Sequence, residues 1–229
     1  MESLFSVDDN RDPVEEFYKE GKLKVLCLYL TPASSRAVSN THNALTSLLK
    51  QEDHENILVD SCYFPEEENL EIFKENHIPY IFGSTCHEPI SFYDVVMMSN
   101  AVCPEVLNIP RFYEYSGVGL TIEERDKQDL PLIIFGGAAS NETSIVLGPI
   151  TREGKVIGKS LVDIANYGYG EKLLPKFGEY LLNAKISGYD LHDRKSLRES
   201  MINDGILHDY LFYPEYYEWE YAEDNFTIT

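Results

Sequence analysis

No apolar run in the sequence approaches the ~20 residues that a helix needs to span a bilayer. The N-terminus also lacks the basic residues of a secretory signal peptide, because Glu2, Asp8 and Asp9 follow Met1. We therefore expect a cytoplasmic protein that does not enter a membrane. Its 229 residues, 43% hydrophobic and 25% charged, are typical of a folded domain rather than a disordered chain.

Basic residues are scarce. The chain has 19 Lys and Arg against 39 Asp and Glu, which gives a net charge of −20. The densest basic cluster, around Arg194 and Arg198, is interspersed with acidic residues. A surface this negative repels phosphate backbones, so we expect no direct binding of nucleic acid.

Cysteines are few, and they lack the CxxC spacing of a zinc site and the CxxxCxxC spacing of an iron–sulfur site. The four are Cys27, Cys62, Cys86 and Cys103. The histidines likewise lack a spacing typical of metal binding or of acid–base catalysis. The sequence therefore indicates no catalytic residue and no metal ligand in this chain, and Cys86-His87-Glu88 is the one short cluster that we keep as a weak candidate for a metal.

Nucleotide-binding signatures are also missing. No Walker A sequence occurs, and a GxGxxG motif begun at Gly168 fails because Leu173 stands where the third glycine is required. A dinucleotide-binding enzyme is therefore a weak interpretation of the two glycines at 168 and 170.

Short apolar runs alternate with amphipathic segments along the chain. Strands are predicted at residues 24–30, 57–60, 80–83, 93–99, 130–135 and 163–167, and helices at residues 41–49, 66–76, 104–115 and 171–184. Runs that are apolar on both faces are typical of parallel strands buried under helices. The pattern predicts an α/β fold: an open, mostly parallel Rossmann-like sheet with helices on both faces.

Two segments depart from this alternation. Residues 149–158 resemble a small inserted hairpin around Glu153-Gly154. Residues 188–229 form an acidic, aromatic extension or the start of a following domain, and we expect the tail to pack back on the sheet or to lead into a partner. The predicted organisation is an N-terminal extension at 1–21, a Rossmann-like domain at 22–187, and this extension.

Ligands of open parallel sheets bind at the carboxyl ends of the strands, so the turns that follow strands are the candidate site. Residues 31–41 form a serine-rich loop with Arg36, which could hold an anion or simply cap a helix. Small polar residues and glycines follow the later strands, where they leave room for a flat ligand. The candidate ligand-binding residues are Ser99, Asn100, Gly136, Gly137, Gly168, Gly170 and Glu171.

These turns together resemble a known arrangement. A strand that ends at Ser99, Phe-Gly-Gly at 135–137, and Asp163 followed by Tyr-Gly-Tyr-Gly-Glu-Lys-Leu-Leu-Pro at 167–175 are similar to the N-terminal cobalamin-binding-type domain of radical S-adenosylmethionine proteins. The resemblance extends over residues 24–184. It implies a domain that holds cobalamin at the strand ends, at the matching positions Ser99, Gly136, Gly137, Gly168, Gly170 and Glu171.

Three features depart from the family pattern. No Asp-x-His-x-x-Gly sequence supplies a histidine ligand for cobalt, and the hairpin at 149–158 lies between the two glycine turns, where it could cover the site. The radical domain with its CxxxCxxC motif is also absent. The resemblance therefore implies that S-adenosylmethionine and a 4Fe–4S cluster come only from a partner or a missing domain.

Three functions remain open from the sequence. The chain can be a cobalamin-binding accessory domain, as a fragment or a split subunit of a radical S-adenosylmethionine system. It can be a ligand-free interaction module that docks on a larger assembly. It can also be the subunit of a radical methyltransferase or of an enzyme that modifies tRNA or a metabolite. In each case we expect it not to catalyse a reaction alone.

Overall fold

The computed structural model describes residues 13–34, 41–50, 55–140, 144–206 and 210–214. Most of the serine-rich loop at 31–41, including Arg36, lies outside the described residues, as does the acidic tail from residue 215 onward. The described residues form one sheet with helices on both faces, and a separate hairpin.

The main sheet has six strands in the order β2-β1-β3-β4-β7-β8. The first five are parallel, and β8 pairs antiparallel with β7. The strands are β1 (Leu23–Pro32), β2 (Ile57–Phe64), β3 (Val95–Ser99), β4 (Leu132–Gly136), β7 (Ile164–Asn166) and β8 (Leu211–Phe212), while β5 (Pro149–Arg152) and β6 (Lys155–Lys159) form the hairpin. The predicted α/β fold with a mostly parallel sheet is confirmed.

The apolar runs become strands because both of their faces are covered. In β1, Leu26 and Leu28 belong to the core on one side of the sheet, and Val25 and Cys27 belong to the core on the other. Successive side chains of a strand point to opposite faces, so a run without polar interruption requires burial on both.

Helices lie on both faces, as predicted. They are α1 (Pro13–Glu16), α2 (Thr41–Leu49), α3 (Leu70–Glu75), α4 (Ile109–Glu114), α5 (Ile122–Arg125), α6 (Gly170–Ile186) and α7 (Arg194–Asn203). Apolar residues of α4 join the core on one face, and those of α2, α6 and α7 join the core on the other. Within the ranges described, no helix is both long and apolar enough to cross a bilayer.

The predicted strand at 80–83 is wrong. These residues form part of a loop that closes through a single bridge between Phe82 and Pro89. The loop wraps around Asp60, whose carboxylate accepts hydrogen bonds from the backbone N–H groups of Thr85 and Cys86, both at 3.0 Å. An apolar run of four residues is too short to distinguish a strand from such a buried loop.

The inserted hairpin is confirmed. Its turn residues Glu153 and Gly154 have φ angles of 52° and 75°, as a type I′ turn between antiparallel strands requires. Its base packs on α5, since the Lys159 backbone N–H donates to Glu123 Oε2 at 3.3 Å and Gly158 lies against Thr121.

The chain after Gly188 continues onto the same sheet as far as residue 214. Leu197 and Met201 of α7 are buried in the core, and β8 pairs with β7 through Ala165–Phe212 and Asn166–Leu211. The described part of the extension therefore packs back on the sheet, which was one of the two outcomes expected from its aromatic content.

A buried ionic network attaches α7 to the amino ends of the strands. Asp163, fully buried just before β7, accepts from Arg125 Nε at 3.0 Å and also pairs with Arg194. Arg198 Nη2 donates to Asp126 at 2.7 Å. The arginines that form the densest basic cluster of the sequence are thus internal, and the network lies at the end of the sheet opposite the candidate turns.

Candidate functional site

The strand order places a crevice at the carboxyl ends of β1 and β3. From β1 the chain goes to β2 on one side of the sheet and then returns to β3 on the other side. Ligands of doubly wound sheets bind at such a reversal. Tyr29, Ser99 and Gly136 lie level with one another across β1, β3 and β4 at this edge.

A pocket of about 370 Å³ opens at this crevice. It runs between the sheet and the helices α2 and α6. Its walls are mostly apolar and consist of Cys27, Met97 and Ile134 of the sheet, Leu45 and Leu49 of α2, and Leu173, Leu174 and Phe177 of α6. The pocket is therefore a slot that suits a flat or extended apolar group.

Six of the seven candidate residues line this pocket. They are Ser99, Gly136, Gly137, Gly168, Gly170 and Glu171. The seventh, Asn100, is fully buried beside the pocket, where its backbone N–H donates to the Gly136 carbonyl oxygen at 2.8 Å. Asn100 therefore holds the turns after β3 and β4 together.

Two of the candidate glycines are required by packing within the protein. Gly137 has a φ of +121°, and a Cβ atom there would lie 2.3 Å from the Asn100 carbonyl oxygen. A Cβ atom at Gly168 would lie 2.3 Å from Cδ1 of Tyr210. A side chain at either position would therefore displace protein atoms whether or not a ligand is present.

The other two glycines leave room on the protein side. A Cβ atom at Gly136 would lie 3.5 Å from Asn166 Nδ2, and one at Gly170 would lie 3.4 Å from Cδ2 of Leu45. These are ordinary contact distances. Packing within the protein therefore does not require glycine at these two positions. Glycine there makes the pocket wider than a residue with a side chain would.

The turn after β7 is fixed by the side chain of Asn166. Its Oδ1 atom accepts from the Gly168 N–H at 2.9 Å, and its Nδ2 atom donates to the Gly168 carbonyl oxygen at 3.3 Å. This side-chain turn delivers the chain to the first residue of α6, Gly170. Asn166 lines the pocket, although it was not among the candidate ligand-binding residues.

The N-terminus of α6 borders the pocket mouth. Its N-cap residue, Tyr169, gives no side-chain hydrogen bond to the helix, and Gly170 and Glu171 are pocket residues. The first N–H groups of a helix carry a partial positive charge and can donate to a polar ligand atom. The exposed Glu171 carboxylate can accept a hydrogen bond at the same place.

The interior of the pocket is electrically neutral. Burial raises the pKa of the Cys27 thiol to about 12, so the thiol stays protonated at neutral pH. Among the described residues that line the pocket, the one with a charged side chain is Glu171, at the mouth. The interior therefore favours an uncharged group, with polar atoms of a ligand directed toward the strand ends.

The Cys86-His87-Glu88 cluster takes part in the loop around Asp60. The Cys86 N–H donates to that carboxylate, and Glu88 Oε1 accepts from the Tyr18 hydroxyl at 2.8 Å. Across the portions of the chain that the structure describes, no group of three or more His, Cys, Asp and Glu side chains could hold a metal ion.

The hairpin does not line the pocket. The described contacts at its base are with α5 and with the chain near Pro214, through Lys159, and the pocket lining is formed without residues 149–159. In the described part of the chain the hairpin therefore does not cover this pocket, because the insertion lies toward the amino ends of β4 and β7.

The fold and the pocket define a class of protein: a Rossmann-like domain with an apolar pocket at the topological switch point of its sheet. The comparison with protein families is more specific, because the model of the N-terminal domain of radical S-adenosylmethionine proteins matches residues 42–205. The chain belongs to this family, and the resemblance to radical S-adenosylmethionine proteins is confirmed. No curated protein and no solved structure matches the chain.

Proposed function

We propose that this chain is the ligand-binding accessory domain of a radical S-adenosylmethionine protein, and that its ligand is a cobalamin. The observation that supports this proposal is the apolar pocket at the switch point, which lies almost wholly within the segment matched by the family model. A ligand held there would face whatever domain covers the carboxyl edge of the sheet.

The pocket residues fit one part of a cobalamin better than the whole. A volume of about 370 Å³ is near the lower end of the ~300–1,000 Å³ of small-molecule sites, which suits the aromatic base of the nucleotide tail. The corrin ring is far larger and would stay outside, against the turns that carry Ser99, Gly136 and Glu171.

A bound cobalamin would supply a cobalt–carbon bond that can carry a methyl group or form a radical. The residues of this chain would do the binding: the apolar walls exclude water from the tail base, and Ser99 and the first N–H groups of α6 orient its polar atoms. We propose that S-adenosylmethionine and a 4Fe–4S cluster are bound by a radical domain in a partner chain or in a further part of the protein.

The test is a cobalamin titration followed by visible absorbance and by retention on gel filtration. Leu45→Trp fills the slot, and Leu48→Trp on the same helix is the matched control, because Leu48 is also partly buried yet lies outside the pocket. We expect the wild-type protein and the control to bind, and Leu45→Trp to bind at least about tenfold more weakly, a loss of ~1.4 kcal/mol. Equal binding by all three proteins, or none by the wild type, contradicts the proposal.

A second function, a ligand-free interaction module, is favoured by the packing of Gly137 and Gly168. Both glycines are needed by the fold itself, so their presence does not require a ligand. In this case cobalamin leaves the melting temperature of the wild-type protein unchanged, whereas Leu45→Trp raises it by filling a cavity. Under the cobalamin proposal the ligand itself raises the melting temperature.

A further inference from the structure

A histidine joins the turn between α6 and α7 to two loops at the amino edge of the sheet. The Nε2 atom of His192 lies 2.8 Å from the Tyr93 carbonyl oxygen, just before β3, and its Nδ1 atom lies 2.6 Å from Asp129 Oδ1, just before β4. The backbone N–H of His192 donates to Asp190 Oδ1 at 2.9 Å, within the turn. The start of the extension and two loops of the sheet therefore meet at this imidazole.

Both contacts of the ring require it to donate a proton. A carbonyl oxygen only accepts hydrogen bonds, and so does an ionised carboxylate. The side chain of Asp129 is 90% exposed, and an aspartate this open to water is ionised at neutral pH. A neutral imidazole has one N–H group, whereas an imidazolium has two. Both hydrogen bonds therefore form together only when His192 carries its second proton.

The other charged and titratable groups next to these contacts in the chain have partners of their own. On the sheet side, Asp94 pairs with Lys185, Lys24 lies over the ring of Phe92, and the Tyr93 hydroxyl donates to Asp60. In the turn and at the start of α7, Asp190 accepts from the His192 N–H, Asp193 accepts from the Ser196 N–H, and Arg194 pairs with Asp126 and Asp163. Among the described contacts, Asp129 supplies the charge that meets the imidazole ring directly.

We propose that His192 is a pH-sensitive clamp that fixes the start of the extension to the sheet. With its second proton, the ring donates to Tyr93 and Asp129 together. When the proton on Nδ1 leaves, the bond to the carbonyl of the buried Tyr93 is kept, and the bond to the exposed Asp129 is lost. Because the two bonds favour the protonated ring, the clamp stabilises this attachment below neutral pH and weakens as the pH rises through neutrality.

The clamp acts on a segment that reaches both edges of the sheet. Directly after His192, Leu197 and Met201 of α7 are buried in the core. Further along the chain, β8 pairs with β7, and the Tyr210 ring lies against Gly168 of the pocket turn. The extension is thus attached at its start by a contact whose strength depends on pH. This proposal is independent of the cobalamin proposal, since His192 and its partners are not pocket residues.

Nuclear magnetic resonance of the nitrogen-15-labelled full-length protein tests the protonation, because long-range proton–nitrogen spectra distinguish the imidazolium from each neutral tautomer. The signal lost in His192→Gln assigns the residue. We expect the imidazolium at pH 6 and, at pH 8, a neutral ring with its proton on Nε2. In Asp129→Asn the ring should lose its second proton at a lower pH than in the wild type. Glu199→Gln, the matched control at an exposed position of α7, removes the same charge and should titrate as the wild type.

Hydrogen–deuterium exchange measures the effect of the clamp on the extension. Protection in peptides covering residues 189–203, corrected for the intrinsic pH dependence of exchange, should fall about two- to fivefold from pH 6 to pH 8 in the wild type, as the loss of a partly exposed ion pair implies. It should not fall in His192→Gln, whose amide can still donate to Tyr93 but does not titrate. Circular dichroism verifies that each variant is folded. The proposal is overturned if His192 titrates equally in the wild type and Asp129→Asn, or if protection falls equally in the wild type and His192→Gln.

Discussion

At the scale of single residues, the four glycines of the candidate turns have different roles. Gly137 and Gly168 are glycines because neighbouring protein atoms occupy the space of a side chain, whereas Gly136 and Gly170 border the pocket without such a constraint. The motif in the sequence does not distinguish these roles, because they depend on Asn100 and on Tyr210, which is remote in the chain.

This difference predicts unequal effects of two alanine substitutions. Gly137→Ala forces an L-residue to a φ of +121° and places its Cβ against the backbone of Asn100, so we expect a loss of about 2 kcal/mol or more in the free energy of unfolding. Gly136→Ala is the matched neighbour and should change it by less than ~1 kcal/mol. Urea unfolding followed by circular dichroism measures both, and equal effects would show that the turn after β4 is not held as described.

At the scale of elements, the ionic network joins β7 and α5 to α7. Burial alone would raise the pKa of Asp163, but the Arg125 and Arg194 guanidinium groups and the Ile133 N–H outweigh it, and the pKa is lowered. Because the pKa is lower in the folded protein, the stability that this carboxylate contributes is present above its unfolded pKa of about 3.9. It is lost as the pH falls through the lower folded pKa.

Asp163→Asn tests this linkage. At pH 7 the variant removes the carboxylate partner of the buried Arg125 and leaves the buried Arg194 paired with Asp126 alone, so we expect a loss of about 3–5 kcal/mol in the free energy of unfolding. The difference from wild type should shrink as the pH falls below about 4. Glu179→Gln, at an exposed position on α6, is the control and should differ from wild type equally little at both pH values. A difference for Asp163→Asn that is constant with pH would contradict the linkage.

The elements that the sequence predicted well are those with a local signal. Strands β1, β3 and β4 are continuous apolar runs, and the hairpin is marked by Glu153-Gly154. The pocket walls were missed: Cys27, Tyr29 and Met97 lie on strands whose two faces are equally apolar, so periodicity cannot show which face borders a cavity. The position of the hairpin was also missed, because it depends on contacts with α5 that no local pattern encodes.

At the scale of the whole molecule, the ionic network and the proposed ligand site lie at opposite ends of the sheet. The buried ions and the hairpin base are at the amino ends of β4 and β7, and the pocket is at the carboxyl ends of β1, β3 and β4. The buried charges at the amino end are paired with one another, whereas the carboxyl end keeps an open apolar slot beside a helix N-terminus. This arrangement suits a domain that presents a bound ligand to another domain.

Hydrogen–deuterium exchange of the full-length protein, with and without cobalamin, tests this central claim most directly. We predict that cobalamin slows exchange in peptides covering residues 98–101, 135–139 and 167–173, where the pocket turns and the start of α6 lie, and leaves residues 149–159 of the hairpin unchanged. Slower exchange confined to other residues, or unchanged exchange at a cobalamin concentration well above that of the protein, would contradict the claim.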